Sequence, residues 1–329
     1  MLLTRRSSLV ALVGAGVASL AACAGAPQTA ASSEAYQHDH SIGVLVMAHG
    51  GGAVWNAEVE TMLAPLAKDY PLELAFGMAE AASLEGAVKK LEARGVDRIA
   101  IVRLFISGES FLDRTEQILG LAPGADPKPA PAAHDAHDAH AGHGAPAAAH
   151  ADMGHDMALW RIETKSSFAI SKEGLADAPE MGAVLVERAR ALSTDPKNES
   201  ILILAHGPGD DAEDQRWLKM IDQRAEAVRR VAPFKAVRAE TLREDWPEKR
   251  VVSEARIRAF VEAGSKDGGR VIVIPYRVAG FGPYAGVLKG LTYTADSKGL
   301  LPSTEVEHWV RRQVKELAIK GEFRKPQQA

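Results

Sequence analysis

Val44-Leu45-Val46-Met47-Ala48-His49-Gly50 is matched, 157 residues further on, by Ile201-Leu202-Ile203-Leu204-Ala205-His206-Gly207. Each is a continuous apolar run without polar alternation, the pattern of a strand buried on both faces of a parallel sheet. Each ends in Ala-His-Gly, so each strand delivers a histidine to its carboxyl end, where open α/β sheets bind ligands. Two copies predict a duplicated chain with one histidine facing a cleft in each half.

Working outward, the spacing of Val59, Met62, Leu63 and Leu66 predicts a helix over 54–69, followed by a strand at Leu72–Phe76. A second helix over 84–93 has Ser83 as its N-cap and Gly95 as its C-cap. A third strand follows at Arg98–Phe105. The second half repeats the alternation: strand 201–205, helix 212–231, strand 235–241, helix 248–263 and strand 271–274. This β-α-β-α-β order predicts an α/β fold, with a mostly parallel sheet flanked by helices in each half. Amphipathic helices at 183–192 and 306–317 close the repeats, each after a Gly-Leu turn and a proline (Gly174-Leu175 with Pro179, Gly299-Leu300 with Pro302). Residues 41–195 are assigned to repeat one and 196–329 to repeat two. Repeat one also carries an Ala-, Pro-, His- and Asp-rich insert over 121–158, with no apolar period, which reads as disordered.

The amino terminus has a basic start (Arg5, Arg6), an apolar stretch from Leu9 to Leu20, and then small residues. Residues 1–22 read as a secretory signal that partly resembles a twin-arginine leader. Leu20-Ala21-Ala22-Cys23 looks like a lipobox, with Cys23 lipidated and residues 23–40 forming a tether. These features place the mature chain in the bacterial cell envelope, facing the periplasm. Cys23 is the single cysteine, so an internal disulfide and a thiolate metal cluster are both ruled out. The formal charge is −4 and becomes more negative by two when Arg5 and Arg6 leave. With no basic stripe and no aromatic interleaving, nucleic acid is not expected as a partner.

Two groups of residues carry chemistry. His134, His137, His140, His143, His150 and His155 are six of the eleven histidines and lie in the insert, with Asp135 and Asp138 among them and Met153 and Met157 beside the last. Imidazoles and carboxylates on a pliant chain suit Co2+, Ni2+, Cu2+ or Zn2+ without imposing one geometry; the other reading is a solvated spacer. The second group is the strand-end pair His49 and His206. The glycines that follow allow close approach of a ligand to the backbone, with Gly50, Gly207 and Gly280 as candidate positions. Neither glycine run has P-loop or dinucleotide spacing, so a nucleotide is not expected.

The Ala-His-Gly strand is followed by Asn56-Ala57-Glu58-Val59-Glu60, Ser83-Leu84-Glu85 and Val96-Asp97-Arg98-Ile99-Ala100-Ile101-Val102. Together these resemble the class II chelatases of the CbiX/SirB type, the sirohydrochlorin cobalto- and ferrochelatases. The resemblance implies two tandem chelatase-like domains facing a shared cleft, and insertion of a divalent metal (Co2+, Ni2+ or Fe2+) into a tetrapyrrole without ATP. It also implies a histidine after the first strand, a glutamate after the second and another histidine after the third. His206 and Glu244 match the first two in repeat two, but Phe281-Gly282 stands where the last histidine belongs. In repeat one His49 matches, the glutamate position falls near Met78, and Ser107-Gly108-Glu109-Ser110 lacks the histidine. His206, Glu244 and His49 are the expected ligands or bases, with Glu109 as a substitute ligand. A mobile histidine from the insert, which leaves the third-strand loop at the expected mouth of the cleft, would complete the site or hand a metal to it. The alternative is a degenerate metal- or tetrapyrrole-binding lipoprotein. The duplication supplies the second domain in cis, so a monomer is expected.

Overall fold

The computed structural model describes residues 42–129 and 159–327. The leader, Cys23, the tether and the six insert histidines (His134, His137, His140, His143, His150, His155) lie outside the described residues. The elements run β1 (Ile42–Ala48), α1 (Ala53–Leu63), β2 (Leu72–Phe76), α2 (Ala81–Ala93), β3 (Arg98–Leu104), α3 (Leu112–Ile118), β4 (Asp126–Pro127), β5 (Trp160–Arg161), β6 (Ser167–Ile170) and α4 (Glu180–Leu192). The second half continues with β7 (Glu199–Ala205), α5 (Asp211–Val231), β8 (Ala236–Thr241), α6 (Pro247–Gly264), β9 (Arg270–Pro275), α7 (Tyr284–Val287) and α8 (Thr304–Lys320).

Two parallel sheets result. The first has the order β2-β1-β3-β6 and the second β8-β7-β9. The duplicated apolar runs form the central strands β1 and β7, and every residue of both is buried. Their alternate residues serve two faces. Val44, Val46, Ile201 and Ile203 point into a core shared by the sheets, while Leu45, Met47, Leu202 and Leu204 point to separate outer cores. Helices α1, α4, α5 and α8 contribute to the shared core, α2 covers the outer face of the first sheet, and α6 and α7 cover that of the second. Both sheets belong to one compact unit.

The fourth position of each sheet also repeats. β6 pairs with β3, and Thr294 makes a parallel bridge to Ile272 of β9. The chain then turns in the same way in each half. Leu175 and Ala176 donate to the carbonyls of Phe105 and Ile106, and Leu300 and Leu301 donate to those of Arg277 and Val278, at 2.7–2.9 Å. The turn needs the glycines expected there, because a Cβ on Gly174 or Gly299 would collide with the backbone that the turn approaches.

The helices that close the repeats are exchanged. α4 ends the first repeat in sequence but packs on α5 and β9, and α8 ends the second but packs on β3 and α1. Each has one apolar stripe, Met181, Val184, Leu185 and Ala189 in α4 and Val306, Trp309, Val310 and Val314 in α8, all fully buried. A stripe with helical spacing shows that a helix buries a face but not which sheet receives it. Arg312 joins the two helices through carboxylates, binding Glu180 at the start of α4 and Glu173 just before it.

Several expectations are corrected. α2 begins at Ala81 after Glu80, so Ser83 is inside the helix and not its N-cap. Arg94 is its C-cap, and Gly95 follows one residue later at φ +80°. The insert is shorter than 121–158, because Leu121 is buried and β4 pairs with β5. It also does not leave directly from the third-strand loop. α3 and β4 come first, and Lys128 is tied to Glu85 in the middle of α2 at 2.6 Å. Among the described residues, no helix is long and apolar enough to cross a membrane.

Candidate functional site

His206 follows β7 directly and is half-buried, with its ring edge-on to Trp217 of α5 at a centroid distance of 5.2 Å. Its Nδ1 is buried and makes no hydrogen bond to any described residue. Ligand atoms of His206, Glu244 and Asp245 all lie within 4.8 Å of one another. Of these, Glu244 is half-buried and Asp245 exposed. Glu244 also accepts from Nη1 of Arg277 at 2.9 and 3.0 Å.

The turn after His206 is held from below. Arg243 sits at φ +57° with a buried side chain that donates to the carbonyls of Pro208 and Gly209 and pairs with Asp211 and Asp214. Thr241 donates to Asp214 at 2.7 Å, and Lys249 adds a bond to Gly209. The backbone N–H of Arg243 donates to the carbonyl of His206 at 2.6 Å, which ties the histidine to the loop bearing Glu244. Gly207 is closely packed, because a Cβ there would lie 2.6 Å from Cβ of Thr241. Gly50 and Gly280 also have positive φ, +79° and +74°; a Cβ on Gly280 would meet nothing within 4 Å.

The first half lacks this support. His49 is exposed, and its Nδ1 approaches the carbonyl of the neighbouring Gly50 at 2.9 Å. Counting back from the helix start, Met78 occupies the place that Glu244 holds before α6, so His49 has no carboxylate partner there. Glu109, expected as a substitute ligand, forms a two-pronged salt bridge with Arg216 of α5 at 2.9 and 2.7 Å. Its partner is 107 residues away, so the pairing leaves no local trace in sequence. Asp245 is a member of the site that the sequence reading passes over, although its adjacency to Glu244 is a usable signal.

Burial pushes the pKa of His206 below the ordinary imidazole value. The charges of Glu244 and Asp245 oppose this, and those of Arg277 and His49 act with burial, leaving a net lowering. The ring is therefore neutral at neutral pH, with a lone pair available to a metal or a proton. A lowered folded-state value means that the unfolded chain binds the proton more readily. Stability is complete above about 6.5, the usual histidine value, and falls as pH drops through the folded value. Urea midpoints measured between pH 7.5 and 5 should therefore decline less in His206→Gln than in the parent, and parallel curves would contradict the assignment.

A cavity of about 690 Å3 lies elsewhere, beside β8 between α5 and α6. It reaches Asp214 and Arg243 but none of His206, Glu244 or Asp245, so it is not the metal-ligating site.

No family sequence model and no curated protein matches this chain. Solved structures do. SirB from Bacillus subtilis with Fe3+ aligns at TM-score 0.56 and 14% identity, over 86% of this chain and 99% of that one. The sirohydrochlorin chelatase SirB from Bacillus subtilis subspecies spizizenii, in complex with cobalt, aligns at TM-score 0.50 and 12% identity over the same shares. The architecture is thus that of a two-sheet, parallel α/β protein. Within that class, it is the class II chelatase fold.

Proposed function

We propose that this protein is a chelatase-type metal handler that places a divalent metal, Co2+ in the first place with Ni2+ and Fe2+ as alternatives, into a sirohydrochlorin-type tetrapyrrole without ATP. The observation that carries this reading is the cluster of His206, Glu244 and Asp245 on a chelatase fold, with His206 Nδ1 buried and unpartnered. A neutral imidazole and two carboxylates form a donor set for a borderline divalent ion. Metal entry releases two pyrrole N–H protons, for which the carboxylates and the imidazole are the acceptors in this reading. The same proposal keeps 41–195 and 196–329 as the products of an ancestral duplication acting as a monomer. It also keeps an envelope location through lipidated Cys23, which palmitate labelling lost in Cys23→Ser would support.

The test is spectroscopic. The protein is incubated with sirohydrochlorin and Co2+, and the tetrapyrrole absorption is followed. Conversion faster than the protein-free rate, and lost in His206→Ala, is the expected result. Conversion no faster than the blank, with metal still bound, would replace the enzyme by a metal-binding lipoprotein.

A further inference from the structure

Phe281-Gly282 stands where the resemblance places the second histidine, and the structure shows what fills the space beside Gly282. Gly282 is at φ +63°, and a Cβ on it would lie 2.8 Å from Nε and 2.9 Å from Cζ of Arg277. A side chain at 282 would require the guanidinium of Arg277 to move from the place it holds. The Arg277 backbone is fixed, because its carbonyl accepts from Leu300 at 2.7 Å. Its guanidinium lies 5.7 Å from the centroid of the Tyr284 ring and donates to both carboxylate oxygens of Glu244.

We propose that Arg277 is an internal cation that competes with the metal for Glu244 and so sets how tightly the site holds its ion. This rests on the reading of His206 and Glu244 as metal-holding groups. A histidine at 282 would add a neutral donor to the site. A guanidinium cannot lose its proton under these conditions and has no lone pair to offer, so it can never be a ligand. It neutralises one of the two carboxylates in the apo site and repels an incoming dication. The metal binds by taking Glu244 from Arg277, and when the metal leaves, Arg277 re-forms its pair. A site built this way holds metal loosely enough to hand it on.

Trp217 gives a local readout, since its ring touches His206 and bound Co2+ would quench it. The signal is the Co2+-dependent quenching that disappears in Trp217→Phe, which separates this site from the histidine-rich insert. In the full chain, Arg277→Met should tighten Co2+ binding by about 10-fold or more, in the range by which groups around metal ligands tune affinity. Arg277→Lys should tighten it less. The gain should vanish when Glu244→Gln is also present, an outcome that a merely structural role for Arg277 would not produce. Should Arg277→Met fail to fold, Arg277→Gln keeps a shorter, neutral donor and removes the charge. Unchanged or weaker binding in a folded variant would overturn the proposal, and so would a gain that persists with Glu244→Gln. The underlying reading fails separately, if His206→Ala and Glu244→Gln leave the quenching titration as it was.

Discussion

Arg243→Met should lower the unfolding free energy by about 3–5 kcal/mol, the range for breaking a buried ion pair from one side. Both partners are buried, with side chains 8% exposed at Arg243 and 5% at Asp214. The variant leaves Asp214 charged and, among the described residues, paired with the Thr241 hydroxyl alone; it strips the carbonyl of Pro208 of its donor and leaves that of Gly209 to Lys249. Relief of the positive φ does not help, since methionine meets the same backbone strain there as arginine. Urea unfolding followed by circular dichroism checks the figure, and a loss below about 1 kcal/mol would refute it. Arg243→Met combined with Asp214→Leu should recover much of the deficit, because the stranded charge is then gone. The 207–209 turn would still be loose, so metal binding should remain impaired in the rescued variant.

His206→Ala should weaken Co2+ binding at the site by on the order of 100-fold or more, beyond what the loss of an outer-shell partner costs. His49→Ala should change it by no more than about threefold, as expected for a residue outside the ligand cluster that acts from a distance through solvent. The two residues share a motif, a strand end and a following glycine at positive φ (+79° at Gly50, +77° at Gly207), yet their settings differ. His206 has Glu244, Asp245 and a clamped turn, whereas His49 is exposed and faces its own backbone. Its influence on His206 is electrostatic. The Trp217 quenching titration measures both variants. Equal losses would mean that the two halves share one metal between them.

The central strands are legible in the sequence because burial on both faces forces unbroken apolar runs, and those of β1 and β7 are seven residues long. β6 escapes such a reading because Ser167-Phe168-Ala169-Ile170 is too short to show a pattern. α3 escapes it because its seven residues run almost straight into the insert. Glu244 can be found from its place before Pro247, since the entry to α6 fixes where a post-strand residue falls. Arg277 cannot, because its role depends on an atom-scale space at Gly282 and on a carboxylate 33 residues away. The pairing of Glu109 with Arg216 and the exchange of α4 and α8 depend in the same way on contacts between halves, which one-dimensional spacing does not encode.

That exchange has a mechanical consequence. Two-lobed proteins commonly admit ligands by hinge rotation of one lobe against the other. Here a rotation that parted the sheets would drag Trp309 and Val310 away from the first and Val184 and Leu185 away from the second, unzipping a continuous core. The lobes are in effect riveted through this core, and what freedom remains falls to the strand-end loops, which are held differently. The 207–209 turn is pinned by Arg243 and Lys249, while Gly51 of the 50–52 turn is held through its N–H by the side chain of Asn56. The His206 side is thus the more firmly held of the two strand ends.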